Sequence, residues 1–212
     1  MTGKLYIARH HESEYNKLGK WTGTRDVHLT EFGKEKSCEM GRVIAGVSID
    51  QAFCSTQVRS LETLVRMLDC MGHPEVPIER SSTINERDYG DYTGKNKWDM
   101  EQLVGAETFK HIRRGWDYSI PNGETLKDVF ERVVPFYTHT IVPCLLEGKN
   151  VLMVSHGNAI RALMVYMEQV PQTDDGAESI AMLFGDIVVY DIDAKGHMVH
   201  KEVRHVEGEV KA

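Results

Sequence analysis

The chain has 212 residues, enough for one α/β domain with a substantial buried core. A composition that is 41% hydrophobic, 27% charged and 8% aromatic excludes a disordered or fibrous chain. The net charge of −7 excludes non-specific nucleic-acid binding through a broad basic face, so an anionic substrate has to be met by a local cluster of Arg and Lys.

Leu5-Tyr6-Ile7-Ala8 is a short apolar run that ends abruptly at Arg9-His10, the pattern of a buried strand delivering polar residues at its C-terminal end. A helix is expected from the cap Thr30 to about Gly46, with Phe32, Met40, Val43 and Ile44 turned inward. Gln51-Ala52-Phe53-Cys54 reads as a second strand, closed by Ser55-Thr56. In the next helix Val58, Leu61, Leu64, Val65, Leu68 and Met71 form one apolar stripe, and Gly72 with Pro74 stops it. Val76-Pro77-Ile78-Glu79 suits an edge strand, because Pro cannot donate to a ladder.

Between residues 85 and 122 the periodicity fails, with short helices expected near 99–104 and 107–114. Irregular stretches of this length often form lids or binding loops. Thr125-Leu126-Lys127-Asp128 resembles a capping box and opens a helix to about Glu147, kinked at Pro135 and ended by Gly148. Val151-Leu152-Met153-Val154 is a second strong buried strand that again ends in polar residues, Ser155-His156-Gly157-Asn158. A helix carrying Ile160, Leu163, Met164 and Met167 follows. From Ile180 to Val203 two or three closing strands are expected, around turns at Gly185-Asp186 and Ala194-Lys195-Gly196.

Strands alternating with helices predict a single domain over residues 1–212, a three-layer α/β/α fold whose sheet is mostly parallel. Ligands of such sheets bind beyond the carboxyl ends of the strands, where both His-bearing runs fall. Four widely spaced cysteines, Cys38, Cys54, Cys70 and Cys144, show no CxxC or zinc-type spacing and read as free thiols of a reducing compartment. The opening Met-Thr-Gly-Lys-Leu-Tyr-Ile-Ala-Arg holds too short an apolar stretch for a secretory signal, and no window approaches a membrane span, so a soluble cytoplasmic protein is expected.

A single histidine at a strand end is more often structural than catalytic; His28, His73, His197, His200 and His205 lie in polar or turn-like surroundings. Two histidines at two strand ends, His10 and His156, point to chemistry, since a neutral imidazole is a nucleophile. A zinc site at His10-His11-Glu12 is disfavoured: neighbouring residues on an extended segment face opposite sides, and no HExxH run is present. Ser13 lacks the G-x-S-x-G elbow of a serine nucleophile. The cations Arg9, Arg59, Arg87, Lys97, Arg113 and Arg114 are each ordinary alone, but together could bind a small polyanion.

Arg9-His10-x-Glu12-Ser13-x-Tyr15-Asn16, Trp21-Thr22-Gly23, Ser55-Thr56-x-x-Arg59, Asn85-Glu86-Arg87-x-Tyr89-Gly90, Lys97, Arg113-Arg114 and Ser155-His156-Gly157-Asn158-x-x-Arg161 together resemble the histidine phosphatase superfamily. Within it, the resemblance is to the cofactor-dependent phosphoglycerate mutases and covers nearly the whole chain. It implies that His10 carries a phosphoryl group while Arg9, Arg59 and His156 stabilise its charge. Glu86 is implied as general acid and base. Asn16, Thr22, Gly23, Arg87, Tyr89, Lys97, Arg113, Arg114, Gly157 and Asn158 are implied as substrate-binding residues. The implied reaction interconverts 3-phosphoglycerate and 2-phosphoglycerate, primed by 2,3-bisphosphoglycerate and without a metal, with a homo-oligomer left open. His11 stands where the family usually has Gly, Thr24 where it commonly has Trp, and Asp91 where Gly is frequent. The stretch between Arg114 and Asn122 is shorter than in many members. A phosphatase on the same fold is the alternative, and a non-catalytic phospholigand-binding homologue a more distant one.

Overall fold

The computed structural model describes residues 2–180 and 184–206. Six strands form one sheet in the order β3-β2-β4-β1-β5-β6: β1 (Lys4–Arg9), β2 (Gln51–Ser55), β3 (Ile78–Ser81), β4 (Val151–Ser155), β5 (Ile187–Ile192) and β6 (Met198–Arg204). β3, β2, β4 and β1 run parallel, and β5 and β6 close the other edge antiparallel. The sheet is therefore mostly parallel, as expected. The expected closing strands become two, β5 and β6; residues 181–183 of that stretch lie outside the described residues.

Alternation along the strands divides the core in two. Leu5, Ile7, Phe53, Val151 and Met153 face one layer, built from α6 (Leu126–Phe136), α7 (Val142–Leu146) and α8 (Gly157–Met167). Tyr6, Ala8, Ala52, Cys54, Leu152 and Val154 face the other, built from α2 (Glu31–Val43) and α3 (Val58–Met71), α1 (Glu14–Lys17) being a single turn after β1. Strands covered on both faces need continuous apolar runs, which is what β1 and β4 carry. Thr30 caps α2 by accepting the Gly33 N–H at 3.0 Å, and Gly72 ends α3 at φ 81°. A third apolar cluster, Trp21, Tyr89, Met100, Phe109, Ile112 and Ile120, packs over the carboxyl ends of the strands. It holds α4 (Lys97–Val104) and α5 (Ala106–Arg114), the two helices of the irregular stretch. Among the described residues no helix is long and apolar enough to cross a membrane.

Several expectations are corrected. Phe32 is 48% exposed, because it sits in the first turn of α2 beyond the edge of the core. Val65 is 38% exposed, at the margin of its stripe. The edge strand starts at Ile78 rather than Val76, after the proline whose carbonyl accepts the Ala52 N–H at 2.9 Å. The helix opened by Thr125 is not continuous α-helix: residues Tyr137–Ile141 form a π-helical turn between α6 and α7. Pro135 and Pro143 lie on either side of it, each lacking a donor and crowding the carbonyl four residues back, so the chain widens between them.

The largest correction concerns the cysteines. Cys38 of α2 and Cys70 of α3 form a disulfide, with Cα atoms 5.4 Å apart. The two helices approach closely where Gly41 has no Cβ; one added there would lie 2.4 Å from the Met67 carbonyl oxygen. Helix packing brings the two thiols together from positions 32 residues apart, a tertiary fact with no signature in sequence spacing. Cys54 is buried and Cys144 half-buried, both free.

Candidate active site

β1 and β4 are in register from Leu5 opposite Val151 to Arg9 opposite Ser155. One residue further on, His10 and His156 stand side by side, ring centroids 4.9 Å apart. The Nδ1 of His10 lies 2.7 Å from the carbonyl oxygen of its own neighbour His11. A carbonyl can only accept, so Nδ1 carries the proton and Nε2 keeps its lone pair. Toward that lone pair the Nε–H of Arg59 donates at 3.3 Å. Burial, then Arg59 and Arg9, holds the His10 imidazole well below the usual histidine pKa, and it stays neutral. This is a nucleophile with its tautomer set by the backbone.

His156 is shaped by the same forces. Burial and Arg59 push its pKa well below the usual value. Its Nε2 lies 2.7 Å from Ser55 Oγ, which also accepts the Gln57 N–H at 3.2 Å. The other ring nitrogen, Nδ1, is buried and has no partner among the described residues. The Nε of Arg9 is orphaned in the same way. Buried donors without acceptors cost free energy unless an anion accepts from them.

Arg59 is rigidly placed, donating to the Arg25 carbonyl at 2.8 Å and the Gly23 carbonyl at 3.1 Å. Gly23, at φ 50°, makes the turn that presents its carbonyl to Arg59 and also to Gln57 Nε2 at 2.8 Å. Gln57 Oε1 in turn accepts the Glu86 N–H at 2.9 Å. The Glu86 carboxylate accepts the N–H groups of Arg87 at 2.8 Å and Asn158 at 3.2 Å, the latter in the first turn of α8. Arg132 braces this loop from behind by donating to the Asn85 carbonyl at 3.0 Å and to Glu124.

Of these groups Arg9, His10, Arg59 and Glu86 line a cavity of about 450 Å³, together with Asn16, Thr22, Gly23, Tyr89, Lys97, Arg113, Arg114, Gly157 and Asn158. Six cations, Arg9, Arg59, Lys97, Arg113, Arg114 and Arg161, face three carboxylates, Glu86, Glu101 and Glu178. The acidic protein therefore concentrates positive charge at one place. Burial, with Arg9 and Arg113 nearby, pushes the Lys97 ammonium down to about 8. Arg9 and Arg59 are each lowered to about 10, chiefly by burial, and remain charged at neutral pH.

Of the residues singled out in the sequence, Arg87 is the one turned away. It is buried and donates to the carbonyls of Glu124 at 2.7 Å and Ile112 at 3.1 Å, tying the Glu86 loop to α5. His156 does not itself line the cavity; its ring stands 4.9 Å from that of His10. Sequence reasoning missed Arg161 as a site residue, and missed Phe184. Arg161 donates to Asn158 Oδ1 at 3.1 Å and to the Ile180 carbonyl at 3.2 Å, while Asn158 Nδ2 donates to the Tyr89 hydroxyl at 2.8 Å. Its position three residues after Asn158, on the same helix face, was an available signal. Phe184 has none. His10 and His11 do face opposite sides, as an extended segment requires; His11 does not line the cavity.

A mostly parallel α/β/α sheet with paired histidines and a cationic cavity at its carboxyl edge defines a phosphoryl-handling fold of one particular kind. The chain belongs to the Histidine phosphatase superfamily (branch 1), whose sequence profile matches residues 5–201. It is 38% identical over 205 residues to the 2,3-bisphosphoglycerate-dependent phosphoglycerate mutase of Parvibaculum lavamentivorans, covering 96% of this chain and 97% of that one. It is 40% identical over 201 residues to the phosphoglycerate mutase of Schizosaccharomyces pombe, covering 94% of each. Among solved structures, YhfR of Bacillus stearothermophilus superposes with a TM-score of 0.81 at 27% identity, over 99% of this chain and 98% of that one.

Proposed function

We propose that this chain is a 2,3-bisphosphoglycerate-dependent phosphoglycerate mutase of the cytoplasm, interconverting 3-phosphoglycerate and 2-phosphoglycerate through a phosphohistidine at His10. The observation that carries the reading is the neutral His10 ring, its Nε2 lone pair facing Arg59 inside a cavity lined by six cations. Relatives 36–40% identical over most of the chain, named for this activity, support it.

2,3-Bisphosphoglycerate supplies the priming phosphoryl group, and the unpartnered Arg9 Nε–H, with His156 Nδ1 beside it in its N–H form, fits an anion of that charge. The Nε2 lone pair of His10 forms the new bond to phosphorus as the bond to the leaving oxygen breaks. Glu86 gives that oxygen its proton. Arg9 and Arg59 neutralise charge on the equatorial oxygens, the neutral His156 ring donates a hydrogen bond to the same group, and the Gly157 N–H at the start of α8 faces the same charge. In the next half-reaction Glu86 takes the proton of the accepting hydroxyl while His10 gives up the phosphoryl group. Lys97, Arg113, Arg114, Asn16, Thr22, Gly23, Tyr89 and Asn158 hold the carboxylate and the second phosphate, and the cavity volume leaves room for the ligand to turn between the two steps.

The test is mutase activity on 3-phosphoglycerate beside a phosphate-release assay, with EDTA present. Activity that rises with trace 2,3-bisphosphoglycerate and an acid-labile phosphoenzyme lost in His10→Ala support the reading. Phosphate release without isomerisation would replace it with a phosphatase.

A further inference from the structure

His11 stands one residue after the nucleophile, yet its ring turns away from the cavity. It is 1% exposed and packs between Phe32, centroids 5.6 Å apart and edge-on, and Phe184, centroids 5.4 Å apart. Its Nδ1 accepts the Glu12 N–H at 2.7 Å and its own N–H donates to Thr63 Oγ1 at 3.2 Å, so the ring is held from both sides of its backbone. Phe184 is the next link. It lines the active-site cavity, and the guanidinium carbon of Arg9 sits 4.0 Å from the centroid of its ring. Arg9 is also packed against the start of α8, where a Cβ on Gly157 would lie 3.5 Å from Arg9 Cζ.

The buried Nε of Arg9 has no hydrogen-bond partner among the described residues. Arg59, by contrast, is pinned by two backbone carbonyls. Stacking on an aromatic face holds a planar guanidinium in place without occupying its N–H donors, which then stay available to phosphoryl oxygens. An aromatic ring can do this only if it is itself held, and His11 packs against it.

We infer that His11 is a positioning residue: by packing against Phe184 it fixes the guanidinium of Arg9 for contact with the transferring phosphoryl group. The inference rests on the phosphoryl-transfer reading of the cavity and goes beyond it, because it gives a role to a side chain that touches neither substrate nor nucleophile.

The test measures the rate of His10 phosphorylation by 2,3-bisphosphoglycerate, and orthovanadate affinity by calorimetry, in His11→Gly, His11→Phe and Phe184→Leu, with thermal melts to confirm folding. His11→Gly and Phe184→Leu are each expected to slow phosphorylation and weaken vanadate binding by roughly tenfold, the scale of a desolvated cation–π contact. His11→Phe, which keeps a ring against Phe184, should stay within about twofold of wild type on the same grounds. In an Arg9→Met background, His11→Gly should cause no further loss. Wild-type rates and affinities in His11→Gly would overturn the inference, as would equal damage from His11→Phe or an undiminished loss in the Arg9→Met background. A wild type that binds vanadate but accepts no phosphoryl group would sink the mutase reading, while the vanadate series still decides the role of His11. A wild type that binds no vanadate overturns both.

Discussion

The Nδ1 of His10 lies 2.7 Å from the carbonyl oxygen of His11, so the backbone of one residue sets the tautomer of the residue before it. The lone pair is left on Nε2, 3.3 Å from the Nε–H of Arg59. Two consequences can be measured on the free enzyme. Ring ¹⁵N shifts should identify the Nδ1–H tautomer of His10. They should also show the ring still neutral at pH 5.5, where an ordinary histidine is mostly charged, because burial, Arg59 and Arg9 hold its pKa well below the usual value. Titration of His10 near 6.5 would contradict this account of the nucleophile. His10→Ala should lose about 10⁴-fold or more in turnover, since the covalent route has no substitute.

The same depressed values bear on stability. Both His10 and His156 are buried neutral, while in the unfolded chain each titrates near the ordinary value. Below about pH 6.5 the unfolded state therefore binds more protons than the folded one, and stability falls with pH. It is full above that value and is lost as the pH drops toward the folded-state values, by about 1.4 kcal/mol per pH unit for each histidine. Denaturant melts from pH 7.5 to 5.0 should show the slope, and His156→Gln should reduce it by about half even if the variant is less stable throughout. An unchanged slope in that variant would mean that other groups dominate acid unfolding.

Lys97 gives a pH dependence of the opposite sense. Burial, then Arg9 and Arg113, pushes its ammonium down to about 8, and an anionic ligand favours the charged form. Ligand affinity should therefore be full below pH 8 and weaken above it, by up to tenfold per unit. The KM for 3-phosphoglycerate between pH 7 and 9.5 should rise accordingly. In Lys97→Arg the rise should vanish between pH 7 and 8.5, because the buried guanidiniums of this cavity titrate only near 9 to 10. Lys97→Met should raise KM at pH 7 by roughly 10–100-fold, the value of a charged hydrogen bond. A KM rise that persists in Lys97→Arg would assign it to another group.

How much of this was legible follows from where each signal resides. β1 and β4 announced themselves as apolar runs ending in Arg9-His10 and Ser155-His156, because strands covered on both faces allow nothing else. The cation cluster was legible as residue types but not as a direction. Arg87 sits in the same run as Glu86 and Tyr89, yet its side chain turns back to the carbonyls of Glu124 and Ile112. Which way a loop side chain points is decided by tertiary packing. Phe184 was invisible for the same reason, since it reaches Arg9 from the segment before β5, far along the chain. The π-helical turn between Pro135 and Pro143 was half legible: Pro135 marked a break, but its form depended on how the chain re-satisfied its carbonyls.

The Cys38–Cys70 disulfide was not legible at all, and it yields a prediction that separates its two possible fates. The bond joins α2 to α3 across a sequence separation of 32 residues, which in the chain-entropy treatment destabilises the unfolded state by about 3–4 kcal/mol. Reduction should therefore lower the melting temperature by about 10 °C for a chain of this size. Folding should survive, because α2 and α3 also meet where Gly41 packs against Met67 and where Ser37 Oγ lies 3.4 Å from Thr63 Oγ1, contacts that do not involve the bond. Activity of the reduced enzyme at 25 °C should stay within about twofold of the oxidised enzyme, since neither cysteine lines the active-site cavity. Cys54 cannot exchange readily with the bond: it is buried, and burial pushes its thiol up to about 11. Thiol titration in denaturant should count two free cysteines before reduction, Cys54 and Cys144, and four after. Four thiols in protein purified without reductant would show that the pair stays reduced in its native compartment. The melting temperature should then be unmoved by dithiothreitol and should rise only on deliberate oxidation.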